Sequence, residues 1–147
     1  MSVLMRPSRP LLIAAAMIAL AGCDRGSPAY RHIKDLPDSE WESYASTLPM
    51  EERLNLHKEI MERSGHNPIM TIRFAFSSQP AEAYRSIVQR LKSGDNSRYY
   101  SSVIYAIDGS RGFKVCSQAD RKIVQDYLAG ITGYPGQKEA QPDFYTC

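Results

Sequence analysis

The chain is poor in the residues that usually announce chemistry. Its 147 residues include only three cysteines, three histidines and one tryptophan. No His-Glu-x-x-His, Gly-x-Ser-x-Gly, glycine-rich phosphate loop or EF-hand loop occurs, which removes the common metalloprotease, serine-hydrolase, nucleotide and calcium signatures. Cys23, Cys116 and Cys147 are too widely spaced for a local zinc knuckle. The longest apolar run, Leu11 to Ala21, has about 11 residues, whereas a helix crossing a bilayer needs about 20.

That short run is nevertheless the most informative stretch. Arg6 and Arg9 precede it and no acidic residue comes before Asp24, the layout of a positively charged n-region and an apolar h-region in a secretory signal. It ends in Leu20-Ala21-Gly22-Cys23, which resembles the lipobox of bacterial lipoprotein precursors. The resemblance implies that residues 1–22 are removed and that Cys23 becomes the first residue, carrying a diacylglycerol and an N-acyl chain. Asp24 directly after it resembles the enterobacterial signal for retention at the inner membrane, which points to the periplasmic face of that membrane, with the outer membrane as the other destination. A triacylated cysteine exceeds the two hydrophobic signals that stable anchoring requires.

Removing residues 1–22 takes away two of the 18 basic residues and none of the 16 acidic ones, so the remaining chain is formally neutral. A neutral domain without a basic run lacks the electrostatic footprint of a nucleic-acid binder. With Cys23 lipidated, Cys116 and Cys147 are left in a compartment that permits disulfides, and we expect them to pair. Such a bridge would contribute about 3 to 4 kcal/mol in the entropic account. It would also pin the Gly- and Pro-rich tail, TGYPGQKEAQPDFYTC. A nucleophilic Cys116 would want a histidine and an oxyanion site, and a metal-binding one a second ligand at short spacing. Neither has local support.

Residues 23–37 carry two prolines and a glycine with little apolar periodicity, and read as a lipidated flexible tether; residues 38–147 read as one globular domain. Asp38 is expected to cap a helix through Trp41 and Tyr44. Thr47 is expected to cap a second that runs to about Ser64, with Gly65 as its stop. PAEAYRSIVQRLKS, residues 80–93, is the clearest helix, with Tyr84, Ile87, Val88 and Leu91 at i, i+3, i+4 and i+7. Ser117 should cap a last helix bearing Ile123, Val124, Tyr127, Leu128 and Ile131. Residues 67–77 and 99–107 fit either a helix or a strand, since Ile72, Phe74 and Phe76 alternate and Tyr99–Ile107 is rich in β-branched and aromatic side chains. We read both as helices, which makes the fold mostly α, a small helical bundle or short helical array with a lipidated N-terminal tether; the alternative, with both as strands, is a small α+β domain.

No residue is assigned a catalytic or metal-binding role, and no cofactor beyond the lipid on Cys23 is expected. His57, His66 and Glu62 match no ligand spacing, and solvated histidines are the commoner case. Glu59 and Glu62 read as a solvated helix face, and Asp108–Gly112 as a plain turn. The excess that remains is tyrosine, nine in all, several of them in RYYSSVIY. Because Tyr and Arg are enriched at protein interfaces, Arg98, Tyr99 and Tyr105 are the candidate partner-binding residues. In architecture the chain resembles small anchored immunity proteins that neutralise toxins delivered into the periplasm. The alternatives are a component of a secretion or envelope assembly machine and an envelope hydrolase with a non-obvious site.

Overall fold

The structure is a computed structural model that describes residues 26–65, 67–108, 110 and 112–131. Among the described residues there are seven helices and no strand, so the mostly α reading holds. They are α1 (Pro28–Lys34), α2 (Asp38–Thr47), α3 (Met50–Ser64), α4 (Ile69–Ser77), α5 (Pro80–Lys92), α6 (Tyr100–Asp108) and α7 (Gln118–Gly130). No helix of the described residues is long and apolar enough to cross a membrane. The signal region, Cys23, and the tail from residue 132 through Cys147 lie outside the described residues.

Helix α5 starts at Pro80 as its sequence requires, and Ala83, Tyr84, Ile87, Val88 and Leu91 are all buried. Both segments of mixed signal are helical. In α4, Ile72 and Phe76 are fully buried while Phe74 is 60 % exposed, the outcome expected when i and i+4 share a face and i+2 does not. Ile72 departs from helical geometry at φ −116°, and the Glu42 carboxylate on α2 accepts the Phe74 N–H at 3.1 Å. In α6, Tyr100, Val103, Ile104 and Ile107 are all buried. Ser117 caps α7 by accepting from the Asp120 N–H at 3.2 Å.

Other expectations are corrected. Asp38 and Thr47 do not cap helices: Pro37 and Pro49 hold the N-cap positions, and the Thr47 hydroxyl donates to the Tyr44 carbonyl inside α2. Proline supplies the fixed φ that starts each helix without a side-chain acceptor. From Gly26 onward, the segment read as a tether is packed structure. Ser27 caps α1 by accepting from the Tyr30 N–H, Pro28 opens it, and Ile33 is fully buried against Leu56 and Ile60 of α3. Seven residues are too few for an autonomous helix, so this one owes its stability to the apolar face it covers.

Helix α3 is therefore enclosed from two sides. Met50, Leu54 and His57, spaced i, i+4 and i+7, enter the interior, the first two as part of the main core with α4 to α7. Leu56 and Ile60 form the smaller cluster under α1, and Trp41 packs against both clusters. Helix α4 meets α3 through its C-terminal end: Arg53 reaches Ala75 and, beyond the helix, Gln79, and the His57 ring meets that of Phe76 edge-on at 5.9 Å.

Candidate functional site

Two polar side chains on α3 are buried, and both arrange the ground beneath the candidate residues. Arg53 is 7 % exposed. Its Nε donates to Leu48 O at 2.7 Å and its Nη2 to Ser46 O at 3.0 Å, both carbonyls at the C-terminal end of α2. Its Nη1 donates to Ala75 O in the last turn of α4 and to Gln79 Oε1, the N-cap residue of α5, the latter at 2.6 Å. One guanidinium thus serves the carbonyls that two helix ends leave without partners, and places positive charge where both helix dipoles are negative.

His57 lies one turn further along and is fully buried. The expectation of a solvated histidine is overturned, because position 57 continues the Met50–Leu54 row into the core. Its Nε2 is 2.8 Å from Ser102 Oγ and 3.2 Å from Tyr99 O. The Ser102 hydroxyl itself donates to Tyr99 O at 3.0 Å. A carbonyl only accepts, so Nε2 carries the proton and donates toward both oxygens. Nδ1 then holds an inward lone pair, with no hydrogen-bond partner among the described residues. Burial pushes the His57 pKa down to about 4, against the opposing pull of the Tyr99 carbonyl.

A serine hydroxyl next to a histidine at 2.8 Å invites comparison with a nucleophile and its base. Here, though, the ring nitrogen facing Ser102 is a donor, and among the described residues no carboxylate is bonded to Nδ1 to impose the other tautomer. The pair as arranged holds α6 onto α3.

Arg98 and Tyr99 sit directly above this pair. The Arg98 guanidinium lies 5.1 Å from the Tyr99 ring centroid, and its Nη2 donates to the Tyr99 hydroxyl at 3.3 Å. Together with Met61, Gly65, Ser101 and Ser102 they line a recess of about 210 Å³. Arg98 is exposed, Tyr99 half-buried. The structure therefore brings two of the three candidate residues together. Tyr105, half-buried on α6, does not line the recess; burial and Asp108 raise its pKa. Nearby, Tyr100 is buried and donates to the Asp95 carboxylate, while Arg90 donates to Tyr100 Oη at 3.0 Å and pairs with Glu51 at 2.6 Å. This chain of polar contacts fixes the turn that presents Arg98 and Tyr99.

The remaining candidates are not assembled into a site. Glu59 accepts from the Ser27 N–H and from Arg63 Nε, both at 2.9 Å, whereas Glu62 is exposed. Burial pushes the Glu59 carboxyl up, but Ser27 and Arg63 outweigh it and hold the group below the usual range. His66, Gly109 and Arg111 lie outside the described residues. Among the described residues no three His, Cys, Asp or Glu side chains converge as metal ligands would. Cys116 is disulfide-bonded. The other half of the expected pair, Cys147, lies outside the described residues.

Sequence reading missed Met61, Gly65, Ser101 and Ser102 as neighbours of Arg98 and Tyr99, because nothing local links the end of α3 to the start of α6. The i, i+4, i+7 row through Met50, Leu54 and His57 was the available signal for a buried histidine. In class, then, the chain is a small all-helical bundle that presents an Arg–Tyr pair over a buried Ser–His contact. Comparison with protein-family models, curated proteins and solved structures found no match.

Proposed function

We propose that the protein is a lipid-anchored protein of the bacterial envelope that acts by binding another protein, without catalysis of its own. Most concretely, it is an immunity protein that neutralises a secreted antibacterial toxin at the periplasmic face of the inner membrane. The lipobox Leu20-Ala21-Gly22-Cys23 supports the anchor, and the Arg98–Tyr99 pair carries the binding reading. An exposed guanidinium already stacked on a tyrosine, held over a rigid polar contact, presents the residue types that dominate interface energetics with little ordering left to lose.

The test is affinity capture of the acylated protein from its own envelope, run beside Cys23→Ala and beside an Arg98→Ala, Tyr99→Ala double variant, with mass spectrometry of what is retained. One stoichiometric toxin-like partner that the double variant loses is the expected result. Retention of a set of secretion or envelope-assembly components would move the protein to that class. No partner in any sample would overturn the binding reading and direct attention to hydrolase assays.

A further inference from the structure

The lipobox cysteine stands three residues ahead of Gly26, the first described residue. Gly26 has φ +67°, and a Cβ there would fall 2.7 Å from the Tyr30 ring and 2.8 Å from Glu59 Oε1. Arg31 Nη1 donates to Gly26 O at 3.1 Å, the Ser27 N–H is held by Glu59, and Arg63 lies over the Tyr30 ring at 5.4 Å. Gly26 is therefore clamped to the last turns of α3. Three Cα steps separate it from Cys23, a reach of at most about 11 Å.

The same end of the bundle carries a large apolar side chain in solvent. Met70 lies in the first turn of α4, which follows the last turn of α3 after the short connection 65–68. It is 83 % exposed. Exposed Arg31, Arg63 and Arg98 belong to this end, with Glu62 as an exposed acid among them. An exposed apolar residue at an end that also carries three arginines suits an anionic headgroup layer.

Resting on the lipoprotein reading, we propose that the bundle stands end-on against a phospholipid surface. The start of α1, the last turn of α3 and the first turn of α4 face the lipid, and Met70 enters the headgroup layer. Arg98 and Tyr99 then lie on the flank next to the bilayer, so a protein that reaches them has to work at the membrane surface.

The experiment uses the acylated full chain in nanodiscs of phosphatidylethanolamine and phosphatidylglycerol, a fraction of the headgroups bearing chelated gadolinium. Backbone amide NMR reads the relaxation enhancement along the chain. Amides of residues 26–27, 29–31, 61–65 and 69–71 should be enhanced by at least about tenfold over those of residues 50–53 and 81–83, because α3 alone separates its two ends by about 20 Å. Equal enhancement at both ends, with intact mass confirming three acyl chains on Cys23, overturns the orientation and leaves the anchor standing. So does protection of the Met70 end in acylated protein, as a second copy seated there would give. A Cys23 without lipid in the mass spectrum overturns the lipoprotein reading, and the orientation with it.

Discussion

Arg53 and His57 sit one turn apart on α3, both removed from water, and they solve burial in different ways. Arg53 keeps its charge because Leu48 O, Ser46 O, Ala75 O and Gln79 Oε1 surround the guanidinium, two of the helix ends it touches being otherwise short of donors. His57 gives up its charge: its Nε2–H is shared between Ser102 Oγ and Tyr99 O, and Nδ1 has no partner among the described residues. The difference lies in what each neighbourhood supplies. Where helix C-termini converge, a cation completes the hydrogen bonding; where a helix face meets rings and aliphatic side chains, only the neutral form is tolerated.

The largest effect should come from breaking the first arrangement. Arg53→Met keeps the aliphatic stem but strands three carbonyls and the Gln79 amide, and should destabilise the fold by about 3 kcal/mol or more in denaturant unfolding. A loss under about 1 kcal/mol would mean that water replaces the guanidinium, and that the contrast with His57 is smaller than the geometry shows.

His57 should set a pH dependence of the opposite kind. In the unfolded chain it titrates near its ordinary value of about 6.5, and in the folded one near about 4. Between those values the unfolded chain binds the extra proton. Its contribution is therefore complete above the unfolded value and falls away as pH drops toward 4, by on the order of 3 kcal/mol in all. Urea midpoints measured from pH 7.5 to 4.5 should decline, and in His57→Phe the part of the decline due to this residue should vanish. An equal decline in the variant would assign the whole effect to other groups.

How much of this was legible in the sequence varied with the range of the interaction. Helix α5 was, because Pro80 and the Tyr84–Leu91 spacing are local signals that the tertiary structure does not contradict. So was the serine cap of α7. Helix α1 was missed although Ser27-Pro28 is a sound start, since a single fully buried residue, Ile33, leaves no periodicity to detect and its partners Leu56 and Ile60 lie more than twenty residues away. The choice between helix and strand at 67–77 turned on Phe74, whose exposure follows from α4 packing on one side only. Of the candidate site, Arg98 and Tyr99 were visible as residue types. Their footing was not, because it depends on a carbonyl of the α6 entry meeting a histidine more than forty residues earlier.

Ser102→Ala sharpens the comparison further. With Nε2–H still able to donate to Tyr99 O, loss of the hydroxyl should cost about 1 kcal/mol and leave the pH window of His57 in place. Were Ser102 instead the donor to a bare Nε2, the variant would set a lone pair against a carbonyl. The cost would then rise and the pH window shift.

The smallest effect on stability is expected at the residues most exposed to a partner. Tyr99 contributes to His57 through its main-chain carbonyl, and that contact survives truncation of the side chain. The Arg98–Tyr99 stack is at the surface, where a cation–π contact contributes about 0.5 to 1 kcal/mol. The Arg98→Ala, Tyr99→Ala double variant should therefore unfold within about 1 kcal/mol of the wild type and keep the His57 pH window, while losing the captured partner. A double variant that loses stability and partner together would show the pair to be part of the scaffold, placing Tyr99 with Arg53 and His57 among the residues that hold α3 in its surroundings. Loss of the partner alone would separate the two roles of one residue, the backbone closing the core and the side chain meeting another protein.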